Sequence, residues 1–151
     1  MIIASMTEGK IMALDYGLRR IGIAMSDPLQ ITVFPFKTIE SVTSKQNAET
    51  ISKIAGDNGV CEIVIGLPVN VSGSEGKMAK IVRDFADELK VAANLPISLI
   101  NEVFSSNEAT EILVQKGIKF NHKDKGLKDR VSAALILQRY LEKNALYCGR
   151  L

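Results

Sequence analysis

The chain lacks the features that mark secreted, membrane-spanning and zinc-binding proteins. Its two cysteines, Cys61 and Cys148, lie far apart without companion cysteines, so neither a disulfide framework nor a set of zinc ligands is indicated. No apolar run is long enough to span a bilayer, and the first ten residues lack the basic start and long apolar stretch of a signal peptide. We therefore expect a cytoplasmic protein with no membrane partner.

A strong excess of one charge sign is also missing. The 19 lysines and arginines nearly balance the 17 acidic residues, which gives a net charge of +2 and a sequence pI of about 8.5. This charge is too small for a protein that coats nucleic acid without sequence preference, so a polyanionic partner must be bound by a local patch. The length of 151 residues suits one hydrophobic core. We predict a single domain over residues 1–151, in which residues 1–9 form a short N-terminal extension.

The first third of the chain has the alternating pattern of β-strands. Three such segments are joined by short turns, which is typical of an antiparallel meander: KIMALD, RRIGIAMSD and ITVFPFKTI. Pro35 interrupts the third segment and cannot donate a ladder hydrogen bond, so we expect this strand at a sheet edge.

After Thr43 helical and strand patterns alternate. A helix that stops at Gly59 precedes the apolar run CEIVIG, and an amphipathic helix over residues 75–89 precedes the run ISLIN. Short apolar runs between helices are typical of buried parallel strands. Ser105 and Glu108 form a capping box for a further helix, and a last helix covers about residues 127–146. This order predicts an α/β protein with a five-stranded mixed sheet flanked by helices, as in ribonuclease H-like folds.

Acidic residues occur where the carboxyl ends of the predicted strands should meet, which is where open sheets carry their sites. Asp15 ends the first strand, Glu102 follows the ISLIN strand, and Asp129 falls in the first turn of the last helix, where the helix dipole favours an ionised carboxylate. Mg²⁺ prefers hard oxygen ligands, and two ions about 4 Å apart stabilise both the attacking and the leaving oxygen of a displaced phosphate. We predict that these three acids bind Mg²⁺ or Mn²⁺ and are catalytic. Taken singly, each could instead only cap a turn or offset a helix dipole.

Four segments resemble, in order and spacing, the motif blocks of the YqgF family, also called RuvX: LDYGLRRIGIAMSD, VIGLPVNVSGSEG, LPISLINEVFSSNEA and KGLKDRVSAALILQRYL. The resemblance implies a ribonuclease H-like fold and metal-dependent cleavage of structured nucleic acid, with a role in maturing the 5′ end of pre-16S ribosomal RNA. Resolution of Holliday junctions, a branched DNA, is the alternative. The metal-binding acids it implies are again Asp15, Glu102 and Asp129. Further positions suited to substrate or loop contacts are Arg20, Asn70 and Ser74.

The chain departs from the family pattern beside Glu102. Asn101 and Val103 replace the usual aspartate and arginine. Loss of an arginine that makes a charge-assisted contact would weaken substrate affinity by about 1.5 to 3 kcal/mol. These two changes favour a second alternative, a noncatalytic RNA-binding module of the same fold.

A basic run covers residues 116–130 and includes Lys125, a candidate substrate contact. The run could clamp a phosphate backbone, or it could be a solvated loop. His122, the only histidine, is interpreted as a surface residue rather than a general base. The glycine-rich loop around Asn70 could present backbone N–H groups to a phosphate or simply form turns.

The turn after Asp15 also resembles the phosphate-binding turn of sugar kinases and actin. Those proteins enclose ATP between two such domains, whereas this chain has room for one. The leading hypothesis is therefore a metal-dependent endonuclease whose partner is pre-rRNA or branched DNA. A homodimer stays open, because junction-cutting enzymes generally act as pairs.

Overall fold

The computed structural model describes residues 9–102 and 124–147. Its elements are β1 (Lys10–Tyr16), β2 (Arg20–Ser26), β3 (Val33–Glu40), α1 (Ser44–Asp57), β4 (Val60–Pro68), α2 (Lys77–Ala93), β5 (Ile97–Glu102) and α3 (Lys125–Tyr147). The predicted N-terminal extension up to residue 8, the helix capped by Ser105 and the position of His122 lie outside the described residues.

The five strands form one mixed sheet in the order β3-β2-β1-β4-β5. Strands β1, β2 and β3 pair in antiparallel fashion, whereas β4 is parallel to both of its neighbours, β1 and β5. The parallel pairs are connected through α1 and α2, as expected for crossovers. The predicted meander followed by two parallel strands is therefore confirmed.

Strand β3 is an edge strand, as the proline within it predicted. Most of its residues are exposed, and Pro35 has no ladder bond to donate. Between Ile23 and Ala24 of β2 the pairing register shifts, so that Phe36 is the extra residue of a bulge. Strand β5 occupies the opposite edge of the described sheet, and most of its residues are only partly buried. The prediction of a fully buried ISLIN strand was wrong, because among the strands of residues 9–102 and 124–147 it pairs only with β4.

The two faces of the sheet carry different helices. Met12 and Leu14 of β1 belong to the core cluster that includes α1 and α2, whereas Ile11 and Ala13 pack with residues of α3. Successive side chains of a strand alternate between faces, so Asp15 follows Ile11 and Ala13 onto the face that α3 covers.

The helix ends explain where the chain turns. Thr43 caps α1 by accepting a hydrogen bond from the Gln46 backbone N–H at 3.1 Å, as the predicted start requires. Helix α2 ends at Asn94 in the left-handed conformation, with φ of 53°. Helix α3 begins at Lys125, two residues before the predicted start. None of the helices within the described residues has the length and apolar character needed to cross a membrane.

Candidate active site

Asp15 lies near the carboxyl end of β1 and is partly buried. Burial raises the pKa of its carboxyl group from 3.8 to about 6, and the negative charge of Asp129 is the second cause. The structure therefore brings these two acids, 114 residues apart in the chain, close enough for their charges to interact.

The contact between α3 and β2 explains why the two acids are neighbours. Gly22 pairs with Asp15 in the antiparallel ladder, and a Cβ atom at position 22 would lie 2.0 Å from the backbone oxygen of Asp129. Only a residue without a side chain allows the helix backbone to approach this closely. Gly22 thus allows Asp129 to lie next to β2 at the position that pairs with Asp15.

Asp129 lies in the second turn of α3, and no acidic residue occurs in the first turn. The prediction that the helix dipole supports this carboxylate was wrong, because the dipole acts mainly within the first turn. Its partner is Arg20, whose Nε donates a hydrogen bond to Oδ2 of Asp129 at 2.7 Å. The Arg20 side chain is 38% exposed, so the same guanidinium also faces solvent at the site.

Glu102 ends β5 and is only 8% exposed. Ile100 packs with α3, so Glu102, two residues later, lies on the same face of the sheet as Asp15. Arg139 of α3 donates a hydrogen bond from Nη1 to Glu102 Oε2 at 3.5 Å. Gly66 of the intervening strand β4 makes room here, because a Cβ would lie 2.6 Å from Cδ1 of Ile136 and 3.3 Å from Cγ of Glu102.

Asp15 and Glu102 therefore lie near the carboxyl ends of β1 and β5 on the face that α3 covers, and α3 carries Asp129 on that same side of the sheet. The three acids are not equally close to one another. Asp15 and Asp129 are neighbours, while Glu102 stands two strands away from β1. Within residues 9–102 and 124–147, no three acidic, histidine or cysteine side chains are arranged to hold a single ion. The proximity of two acids is observed, and the role of all three as metal ligands stays a prediction.

Asn70 and Ser74 bind each other in the loop between β4 and α2. The backbone N–H of Asn70 donates to the Ser74 carbonyl and its Nδ2 donates to Ser74 Oγ, both at 2.8 Å, around Gly73 with φ of +88°. At the start of this loop, the Val69 N–H donates to the carbonyl of Glu102 at 3.0 Å. The loop is thus attached to the strand end that carries the third acid, and its contact with substrate stays a prediction.

Residues 9–143 match the model of a family described as RuvX, Holliday junction resolvase. The chain belongs to the RuvX family. A curated relative from Endomicrobium trichonymphae, named "Putative pre-16S rRNA nuclease", is 44% identical over 88% of this chain and 95% of its own length. A relative of the same name from Koribacter versatilis is 35% identical over 94% of this chain and 92% of its own length.

Solved structures confirm the fold of this RuvX-family chain. The Fowlpox virus resolvase in complex with Holliday junction DNA has a TM-score of 0.56 at 15% identity, covering 89% of this chain and 97% of its own. RuvC of T. thermophilus with a Holliday junction substrate has a TM-score of 0.55 at 12% identity, covering 90% and 95%. At such identities the likeness concerns the fold, which is the predicted ribonuclease H-like one.

Sequence reasoning missed several residues that shape the site of this RuvX-family chain. Arg139 has no motif signal, because its contact with Glu102 depends on the path of α3 across the sheet. Gly22 and Gly66 had a signal, since a glycine inside a strand often marks a close backbone approach. The side chain of Lys125, a predicted substrate contact, lies outside what the structure describes.

Proposed function

We propose that this chain is a metal-dependent endonuclease that acts on structured RNA and matures the 5′ end of pre-16S ribosomal RNA in the cytoplasm. That it is a phosphodiester hydrolase follows from its family and its nuclease-named relatives. The observation that carries the metal dependence is the Asp15–Asp129 pair at the carboxyl edge of the sheet. Without a cation, two like charges placed this close together would only destabilise the fold.

The side chains present fit a hard divalent cation. Two carboxylates with a raised pKa on one of them form a site where positive charge is favourable, and Mg²⁺ needs only one or two carboxylates because it keeps waters and binds substrate phosphates. We propose Asp15 and Asp129 as the central ligands and Glu102 as the third, with Mg²⁺ or Mn²⁺ as the ion. When bound, such an ion activates a water and stabilises charge on the attacking and leaving oxygens.

The arginines give the site its remaining chemistry. Arg20 orients the carboxylate of Asp129 through the 2.7 Å hydrogen bond from its Nε, and its partly exposed side chain also lines the neighbouring cleft. Arg139 of α3 forms an ion pair with Glu102 at 3.5 Å. Guanidinium groups bind phosphate oxygens through parallel N–H donors, so we propose that Arg20 also contacts the substrate backbone.

The departure from the family pattern at position 101 does not remove a ligand from this face. Asn101 is exposed, and strand alternation directs it away from the face that holds Glu102. An aspartate there would have faced the other side of the sheet. This placement favours the catalytic proposal over the noncatalytic RNA-binding module.

The proposal is tested by incubating the protein with a pre-16S rRNA fragment in Mg²⁺ or Mn²⁺, with EDTA as the metal-free reference. We expect cleavage by the wild type and by Glu49→Gln, an exposed acid on α1, and loss of at least about a hundredfold in Asp15→Asn. Equal cleavage by wild type and Asp15→Asn would rule out the catalytic role of the acids.

A four-way DNA junction is the second substrate to test, because the family model is described as a Holliday junction resolvase. Cutting of the junction at a higher kcat/KM than the RNA would replace the RNA proposal. A homodimer is expected in that case, and light scattering with and without junction DNA measures it.

A further inference from the structure

A cleft of ≈ 700 Å³ lies beside the acids, between the edge of the sheet and the start of α3. Arginines are prominent in its wall: Arg19, Arg20 and Arg130. Arg20 also binds Asp129 at 2.7 Å, so the cleft and the acid pair share a side chain. A polymer that crosses the acids can therefore continue into the cleft.

One wall of this cleft is held in place by hydrogen bonds between α3 and β3. Arg130 donates from Nη2 to Asp124 Oδ2 at 2.7 Å and from Nη1 to Thr38 Oγ1 at 3.2 Å. The Thr38 hydroxyl in turn donates to the carbonyl of Gly126 at 2.7 Å. The Arg130 side chain is only 22% exposed, and its bonds to Asp124 and Thr38 fix the position of its guanidinium.

Arg19 supplies a further positive charge to the lining of the cleft. It lies in the turn between β1 and β2, its side chain is exposed, and its carbonyl accepts a hydrogen bond from the Ser41 N–H at 2.9 Å, which fixes the backbone. Among the residues that the structure describes, its guanidinium has no carboxylate within ion-pair distance. An anion in the cleft would give this group a partner.

We propose that the cleft binds the sugar-phosphate backbone of the nucleic-acid strand that leads to the cut, with Arg19 and Arg130 as phosphate contacts. The proposal rests on the proposed function only in taking nucleic acid as the substrate. Two acids also line the cleft: Asp124, which is paired with Arg130 at 2.7 Å, and Glu40, whose charge opposes an anion there. The cleft therefore makes two opposite predictions, one for removal of a positive charge and one for removal of a negative charge.

The test measures binding without catalysis. A fluorescein-labelled RNA hairpin with a single-stranded tail is titrated with protein in EDTA, and anisotropy gives Kd over a series of salt concentrations. Arg19→Ala should weaken binding at least about fivefold at low salt and reduce the slope of log K against log salt by about 0.7 to 0.9, the value of one phosphate contact. Glu40→Gln should tighten binding by about two- to threefold, because it removes a repulsive charge.

Matched controls change the same charges on the other face of the sheet. Lys53→Ala and Glu49→Gln both lie on exposed positions of α1 and should alter Kd less than about 1.5-fold. Thermal unfolding of each variant checks that the fold is retained. If either cleft variant matches its α1 control, or if the wild type does not bind the RNA, the proposal is wrong.

Failure of this proposal and failure of the nuclease proposal give different results. Cleavage that is lost in Asp15→Asn together with unchanged binding by Arg19→Ala would overturn the cleft alone. Binding that depends on Arg19 and Glu40 in a protein that cuts no RNA would support the cleft and overturn the nuclease proposal.

Discussion

Replacing Asp15 with asparagine should stabilise the folded protein at neutral pH, although it removes a residue of the site. The pKa of Asp15 is raised from 3.8 to about 6 in the folded state. The folded protein therefore binds the Asp15 proton more tightly than the unfolded chain does, and stability falls as pH rises from about 4 to about 6. Above that window the charged form destabilises the fold by about 3 kcal/mol, from two pKa units at 1.36 kcal/mol each.

Urea unfolding in EDTA measures this effect. With an m-value of about 1 to 3 kcal/mol per molar urea, Asp15→Asn should raise the midpoint by about 1 M or more at pH 7.5, and the gain should disappear near pH 4. Glu49→Gln, an exposed acid on α1, should change stability by less than about 0.5 kcal/mol at either pH. An Asp15→Asn midpoint equal to the wild type at pH 7.5, or a gain that is the same at both pH values, would refute the argument from burial.

Three further predictions concern the site and its support. Gly22→Ala should lower the free energy of unfolding by about 1 to 3 kcal/mol, because the new Cβ would lie 2.0 Å from the backbone oxygen of Asp129. The control Gly56→Ala, which has open space around it, should be neutral or stabilising. Equal melting curves for the two variants would contradict this prediction. Calorimetric affinity for Mn²⁺ should fall as pH drops through 6, because protons then compete for Asp15; a pH-independent affinity would exclude it as a ligand. Asn47→Ala should lower the free energy of unfolding by about 2 to 3 kcal/mol, because this buried amide donates to the Tyr16 hydroxyl and accepts from the Val42 N–H. Chemical denaturation measures the change, and a value below about 0.5 kcal/mol would refute that role.

Local patterns were sufficient to predict the strands and the two faces of the sheet, but not the exposed edge position of β5. The alternation of Ile11 and Ala13 with Met12 and Leu14 gives the two faces directly, since each set packs against a different helix layer. Pro35 predicted the edge for a reason contained in one residue, namely its missing donor. Such features depend only on neighbours in the chain, so sequence reasoning can reach them.

The position of Asp129 within its helix was harder to predict. Residues 116–130 lack a regular apolar period, and the helix was expected to begin at about residue 127. In the structure Gly126 lies inside the first turn, where a Cβ would stand 2.8 Å from the Thr38 side chain. The glycine serves a contact with a strand 88 residues earlier, and no local pattern distinguishes such a contact from a helix stop.

The partners of the acids were beyond sequence reasoning for the same reason. Arg20 and Asp129 are 109 residues apart, and their 2.7 Å hydrogen bond exists only once α3 has packed across the sheet. The strand ends and the family resemblance both indicated the acids, and the resemblance named Arg20 as a substrate or loop contact, but neither paired Arg20 with Asp129 or indicated Arg139. The resemblance also could not show that Glu102 stands farther from Asp15 than Asp129 does.

The bulged edge strand limits how this protein can associate with itself. Phe34 and Phe36 of β3 are both more than a third exposed. An exposed apolar edge strand of this kind favours pairing with a strand of another chain. Pro35 between them offers no donor, and the bulge at Phe36 disturbs the regular spacing that an incoming strand would need. Fibril growth by edge-to-edge pairing is therefore disfavoured here, even though the strand carries two aromatic side chains on its outer rim.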